Sequence, residues 1–255
     1  MQDLNNKTIL VTGTSKGIGS AIARELGAAG ANVIAHYGND RAGAEQATAA
    51  IPDERKLLLT ADFADLDSVE TLWDAGMAWR GRIDVLINNA AMLAWNGGID
   101  QPLEVWDQVW QETLRVNVEA PARLLRRAVK HFLETGGGSI ITVSSWAAQR
   151  GISNPDAIAY GSSKAAIHNA TQTIARAHAA DGILAYVIAP GVVRTRLSDQ
   201  AATTMGGEQQ VTDSLAMREW VPPEEIASLT AFLASGKARH LTGATLDFNG
   251  ASYIR

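Results

Sequence analysis

The run Thr12-Gly13-Thr14-Ser15-Lys16-Gly17-Ile18-Gly19 follows the apolar segment Thr8–Val11 directly and opens the amphipathic stretch Ile18–Ala29. Glycines at such a junction let the backbone turn sharply and come close to a ligand. The first helical turn adds unpaired N–H groups and the positive end of its dipole. A strand, a glycine-rich turn and a helix in that order is the arrangement that holds a dinucleotide pyrophosphate. The spacing is GxxxGxG rather than GxGxxG, so the reading rests on the position of the loop after the first strand of an alternating chain.

Outward from the loop, short apolar runs at Thr8–Val11, Asn32–Ala35, Leu57–Thr60, Ile83–Ile87, Ser139–Val143, Leu184–Ile188 and Thr245–Phe248 read as strands. Most show no in/out alternation, the pattern of parallel strands covered on both faces. Helical periodicity fills Ile18–Ala29, Arg41–Ala50, Ser68–Trp79, Leu103–Phe132, Tyr160–Ala180 and Glu224–Leu233. The βαβ alternation predicts an α/β fold, a doubly wound parallel sheet with helices on both faces and right-handed crossovers. Pro121 should break or kink the stretch Leu103–Phe132. Residues 195–221, with TTMGGEQQ, lack clear periodicity and read as a mobile substrate lid with one or two short helices. Pro222-Pro223-Glu224-Glu225 reads as a helix start.

The chain has 255 residues and no internal linker or repeat, so residues 1–255 read as one dinucleotide-binding and catalytic domain. Its formal charge is -5, which argues against nucleic acid as a partner. With no cysteine, disulfides, thiolate metal sites and cysteine nucleophiles are all excluded. No signal peptide or apolar run of ~20 residues is visible, so a cytoplasmic protein without a membrane partner is expected. The five histidines show no metal-ligand spacing, and no metal site is expected.

Asp62 after the third strand and Asn88-Asn89-Ala90-Ala91 after the fourth fall at carboxyl ends of strands, where ligands of open parallel sheets lie. The second strand ends Ala35-His36-Tyr37-Gly38-Asn39, with no acid before Asp40, while Lys16 and Arg41 supply cations nearby. An acid there would bond a ribose 2′-hydroxyl and repel a 2′-phosphate, so the pattern favours NADP(H) over NAD(H).

Tyr160 and Lys164, four apart on a helix, share a face. A phenol titrating near ~10 needs its anion stabilised to act at neutral pH, and an adjacent ammonium would supply that. Ser145 closes the fifth strand and can donate to a substrate oxygen that gains charge as hydride arrives. Asn117 would hold a water linking Lys164 to solvent.

These motifs together resemble the short-chain dehydrogenase/reductase family, in its 3-oxoacyl-carrier-protein reductase-like branch. The resemblance rests on TGTSKGIG at 12–19, Asp62, NNAA at 88–91, LRVNV with Asn117, VSS at 143–145, YGSSK at 160–164 and PGVVRT at 190–195, and it spans residues 7–250. It implies a Rossmann-type sheet of about seven strands and a catalytic tetrad of Asn117, Ser145, Tyr160 and Lys164. The cofactor set expected on this basis is Gly13, Ser15, Lys16, Gly17, Ile18, Gly19, Tyr37, Asp62, Phe63, Asn89, Ala90, Ala91, Tyr160, Lys164, Pro190, Gly191, Val193 and Thr195. A homotetramer or homodimer built through the helices after Asn117 and Tyr160 is also implied.

The implied activity is NADP(H)-dependent interconversion of a carbonyl compound and a secondary alcohol. The alternatives are a non-catalytic NADP-binding sensor and an NAD-dependent alcohol or sugar dehydrogenase. NNAA stands where NNAG is commoner, FNGA at 248–251 where DGG is usual, and the loop from Ser145 to Tyr160 is about two residues longer than usual in the family. Trp95 and Trp146 fall in loops beside the catalytic edge and are expected as apolar substrate walls. Trp73, Trp79, Trp106 and Trp110 read as packing residues, and Arg150, Arg194 and Arg196 as solvated loop charges. Ser144 is the alternative to Ser145 for the serine role.

Overall fold

The computed structural model describes residues 2–255. Seven parallel strands form one sheet: β1 Thr8–Val11, β2 Asn32–Tyr37, β3 Lys56–Thr60, β4 Val85–Asn88, β5 Gly138–Val143, β6 Ile183–Pro190 and β7 Thr245–Phe248. Their spatial order is β3-β2-β1-β4-β5-β6-β7. The winding direction therefore reverses between β1 and β4, where Val11 pairs with Ile87, and a crevice opens beyond the carboxyl ends of those strands. Every residue of β1, β2 and β4 is buried, which explains their lack of alternation.

The helices are α1 Gly17–Ala28, α2 Arg41–Ala47, α3 Leu66–Arg80, α4 Leu103–Leu114, α5 Ala120–Thr135, α6 Ala147–Arg150, α7 Ile158–His178, α8 Arg196–Thr204, α9 Glu208–Ser214 and α10 Pro223–Ala234. Successive strand residues face opposite layers. Ile9 and Val11 join the layer of α1 and α10 through Ile22, Leu26, Ile226 and Leu233. Leu10, Ile34 and Leu86 join the layer of α3, α5 and α7 through Trp73, Leu124, Phe132 and Ile167. Pro223 lies in the first turn of α10 with Glu224 and Glu225, as expected. No helix among the described residues is long and apolar enough to cross a membrane.

The break expected at Pro121 arises just upstream. Residues Arg115–Glu119 form a π-helical turn between α4 and α5, and Pro121 then sits in the first turn of α5. Widening the helix there accommodates the proline, which has no N–H to continue the ladder, and such turns often place functional groups. Asn117 lies inside it.

The excursion after β6 contains two short helices, α8 and α9. Its two stems are pinned together: Val193 and Val221 form a parallel bridge, and Val221 N–H donates to the Val192 carbonyl at 2.9 Å. Ala202, Val211, Leu215 and Trp220 give the excursion a small apolar core of its own.

Candidate active site

The glycine loop is shaped by what packs against it. Gly13 and Gly17 adopt φ of 73° and 54°, the left-handed region that side chains avoid. A Cβ on Gly19 would come within 2.1 Å of the Gly13 carbonyl oxygen and 2.4 Å of Asn89 Nδ2. Asn89 closes the contact by donating from Nδ2 to the carbonyls of Thr12 at 2.8 Å and Gly13 at 3.1 Å. The Thr12 hydroxyl accepts from the N–H groups of Asn89 and Ala90 at 2.9 and 3.0 Å. Loop and NNAA segment thus form a single hydrogen-bonded unit.

His36 braces the other side. Its Nδ1 accepts from the Gly13 N–H at 3.2 Å, its Nε2 donates to the Ala61 carbonyl at 3.1 Å, and its ring stacks on Phe63 at 4.5 Å between centroids. Burial pushes its pKa down to about 4, against a smaller opposing effect of the Ala61 carbonyl. It therefore remains a neutral strut at ordinary pH.

Above the loop lies a cleft of ≈ 760 Å³, within the range of small-molecule and cofactor sites. Of the residues expected to hold a cofactor, Gly13, Ser15, Lys16, Gly17, Ile18, Gly19, Asp62, Phe63, Asn89, Ala90, Ala91, Tyr160, Lys164, Pro190, Gly191, Val193 and Thr195 all line it. A dinucleotide fits this wall chemically. The helix α1 starts at the cleft with no side-chain cap on its first-turn N–H groups, leaving donors for an anion, whereas α2, α3 and α8 are each capped by Asp40, Asp65 and Thr195.

Tyr37 is a correction: it does not line the cleft, because alternation along β2 turns His36 toward it and Tyr37 away. Arg41 is off the cleft as well, bonded to Glu45 at 2.8 Å. Trp95 and Trp146 also leave the cleft wall, contrary to expectation. Trp146 instead packs on the apolar core of the excursion, with the Arg150 guanidinium 4.3 Å from its ring centre. Trp95 is half-buried in the loop after the NNAA segment, and its buried Nε1 has no partner.

Ser145, Tyr160 and Lys164 meet at the far end of the cleft. The Ser145 hydroxyl lies beside the Tyr160 phenol, and its Oγ accepts from the Ala147 N–H at 3.1 Å. Burial pushes the Tyr160 phenol up to about 12, the neighbouring Ser145 hydroxyl pulling it partly back. Burial likewise pulls Lys164 down to about 8. Its ammonium donates to the Val143 carbonyl at 2.8 Å. Burial is the dominant influence on both groups, and the Lys164 ammonium lies 5.8 Å from the Tyr160 ring centre. Ser144 and Ser145 both line the cleft, but the Ser144 hydroxyl donates to the Lys164 carbonyl at 3.1 Å, which leaves Ser145 as the serine beside the phenol.

Asn117 stands behind the cleft. Its amide is engaged on both sides, with Oδ1 accepting from Met92 N–H at 2.8 Å and Nδ2 donating to Met92 O at 2.9 Å and Ser163 Oγ at 3.0 Å. It ties the loop after β4 to α7. The Asn117 side chain is thus committed to the Met92 backbone and to Ser163.

Residues that the sequence reading missed as cleft lining include His36, Gly38, Asn39, Ala61, Val116, Leu197, Ser198 and Gln200. Nothing in the aperiodic excursion marks Leu197 or Gln200.

Fold and cleft together define a dinucleotide-binding α/β protein with a Ser–Tyr–Lys cluster at one end of its crevice. The chain matches the family described as "Enoyl-(Acyl carrier protein) reductase" over residues 13–250. It is 34% identical over 251 residues to a 3beta-hydroxysteroid dehydrogenase 1 of Eggerthella lenta, covering 97% of this chain and 94% of that protein. It is 32% identical over 252 residues to glucose 1-dehydrogenase 2 of Bacillus subtilis, covering 98% and 95%. Among solved structures it resembles the 3-ketoacyl-(acyl-carrier-protein) reductase of Brucella melitensis complexed with NADH, at TM-score 0.86 and 27% identity, covering 99% of this chain and 100% of that one. The chain belongs to the short-chain dehydrogenase/reductase family and is an oxidoreductase of that family.

Proposed function

We propose that the protein interconverts a carbonyl compound and a secondary alcohol with NADP(H), and that Tyr160 is its general acid and base. The observation that carries this reading is the convergence of the glycine loop with Ser145, Tyr160 and Lys164 on one cleft. The nicotinamide ring, when bound, supplies or accepts the hydride. The loop Gly13–Gly19 holds the pyrophosphate, Asp62, Phe63 and Asn89–Ala91 the adenosine, and Pro190, Gly191, Val193 and Thr195 the nicotinamide end. In reduction, the Ser145 hydroxyl and the Tyr160 phenol bracket the substrate oxygen, and Tyr160 gives it a proton as its charge develops. Lys164, fixed by the Val143 carbonyl, places positive charge beside the phenol. Asn117 sets the loop after β4 against α7 and so positions Tyr160 indirectly.

Lys16 supports NADP(H), since it lines the cleft beside Gly38 and Asn39 at the end of β2. The excursion 195–221 serves as the substrate lid: Arg196, Leu197, Ser198 and Gln200 already overhang the cleft. A cytoplasmic homotetramer or homodimer completes the proposal. Leu103 on α4 and Leu133 on α5 are exposed, which suits a covered face in an oligomer.

Tyr160→Phe tests the chemistry. It should leave NADPH binding intact while lowering turnover across a panel of ketones and alcohols by about 10²–10⁴-fold. Unchanged turnover in the variant, or a wild-type protein that binds no nicotinamide cofactor, would refute the proposal.

A further inference from the structure

The segment that carries Ser145 is gripped from two sides. After β5 it turns into α6, a single helical turn over Ala147–Arg150. On one side Trp146 packs on the apolar core of the excursion, with the Arg150 guanidinium over its ring. On the other, Gln149 Nε2 donates to Asp247 Oδ1 on β7 at 3.0 Å, a hydrogen bond between residues 98 apart in the chain. The Gln149 Oε1 is buried and has no partner among the described residues. Asp247 is itself oriented. Its Oδ2 accepts from Arg255 Nε at 2.8 Å, and a second guanidinium nitrogen donates to the Thr245 carbonyl at 3.0 Å. That fork claims one carboxylate oxygen and leaves the other for Gln149. The next residue of β7 also reaches the cleft wall, because the Phe248 carbonyl accepts from the Gly191 N–H at 3.0 Å.

We propose that Asp247 is a positioning residue for the Ser145 hydroxyl, acting through Gln149, with Arg255 setting the carboxylate. This rests on the reading of Ser145 as the donor to the substrate oxygen. A helix of one turn is not stable by itself, so the orientation of α6 follows from what holds its side chains. Ser145 Oγ accepts from the Ala147 N–H at 3.1 Å, so any rotation of α6 carries that oxygen with it. Misplacing such a donor by about 1 Å lowers turnover by up to about a hundredfold. The glycine loop, Asp62 and Asn89–Ala91 lie on other segments, so loss of this grip spares cofactor binding.

The test uses the full-length protein, with two readouts: hydrogen exchange in the Ser145–Arg150 segment, and steady-state reduction of the fastest member of a ketone panel at saturating NADPH. Asp247→Ala should raise exchange in α6 by about tenfold or more. It should lower kcat by about tenfold to a hundredfold while the Kd for NADPH stays within about twofold. Asp247→Asn should restore both readouts, because its amide meets Gln149 in either flip. Its Oδ1 can accept from Gln149 Nε2, or its Nδ2 can donate to the unpartnered Gln149 Oε1. Gln149→Ala should match Asp247→Ala, and the double variant should lose no more than either. Wild-type exchange or wild-type kcat in Asp247→Ala overturns the assignment. So does an Asp247→Asn protein as impaired as Asp247→Ala, or a fall in NADPH affinity parallel to the fall in kcat. A wild-type protein that reduces no ketone overturns the reading of the site instead, and the exchange measurement still decides whether Asp247 holds α6.

Discussion

The ammonium of Lys164 lies over the face of Tyr160, 5.8 Å from the ring centre, while donating to the Val143 carbonyl. The two groups are therefore shifted by burial in opposite senses: the phenol to about 12 and the ammonium down to about 8. At neutral pH the proton sits on the phenol, which suits Tyr160 as the acid in carbonyl reduction.

A pH dependence follows. Lys164 is charged below its pKa of about 8, and the phenol stays protonated well above it. The kcat/KM for carbonyl reduction should be level below pH 8 and fall above it as the ammonium is lost. Lys164→Arg keeps its charge through this range. A pH–rate profile in which the limb persists in that variant would assign it to another group.

His36 gives a second dependence, on stability. Its folded pKa of about 4 lies below the ordinary 6.5, so the unfolded chain takes up a proton that the folded chain refuses. The stabilisation is complete above pH 6.5 and is lost as pH falls toward 4, amounting to about 3 kcal/mol over that interval. Denaturant unfolding at steps from pH 7 to 4 should show a loss of about this size in the wild type relative to His36→Gln. Parallel curves for the two proteins would contradict the linkage.

Trp146 joins the excursion to the catalytic loop. Its indole packs on the cluster of Ala202, Val211, Leu215 and Trp220, while its backbone N–H donates to the Pro190 carbonyl at 3.0 Å. Trp146→Ala should raise amide hydrogen exchange in α8 and α9 by about tenfold or more, with the sheet unaffected. Equal protection in the two proteins would show that the excursion is held by other contacts.

Ala251 adopts φ of 59°, a left-handed conformation, in the FNGA segment where the resemblance leads one to expect glycine. A Cβ is strained there, so Ala251→Gly should stabilise by about 1 kcal/mol and raise the Tm. A lowered Tm would mean that the methyl group packs favourably enough to offset the strain.

Periodicity along the chain sufficed for the seven strands, their parallel arrangement and the glycine turn after β1. Buried strands and amphipathic helices write their neighbours into local composition, and a left-handed turn next to a close-packed carbonyl demands glycine. The order of motifs likewise marked Ser145, Tyr160 and Lys164 as partners. Other features were set by contacts between segments far apart in sequence. The side of β2 that faces the cleft, the π-turn ahead of Pro121 and the capture of Lys164 by the Val143 carbonyl depend on which backbone atoms the fold brings near. Lys16 beside Asp40 and Trp146 beneath the excursion are of the same kind. Residue order specifies which groups are available, but burial and the competition among nearby donors and acceptors decide whom each one bonds and how strongly its proton is held.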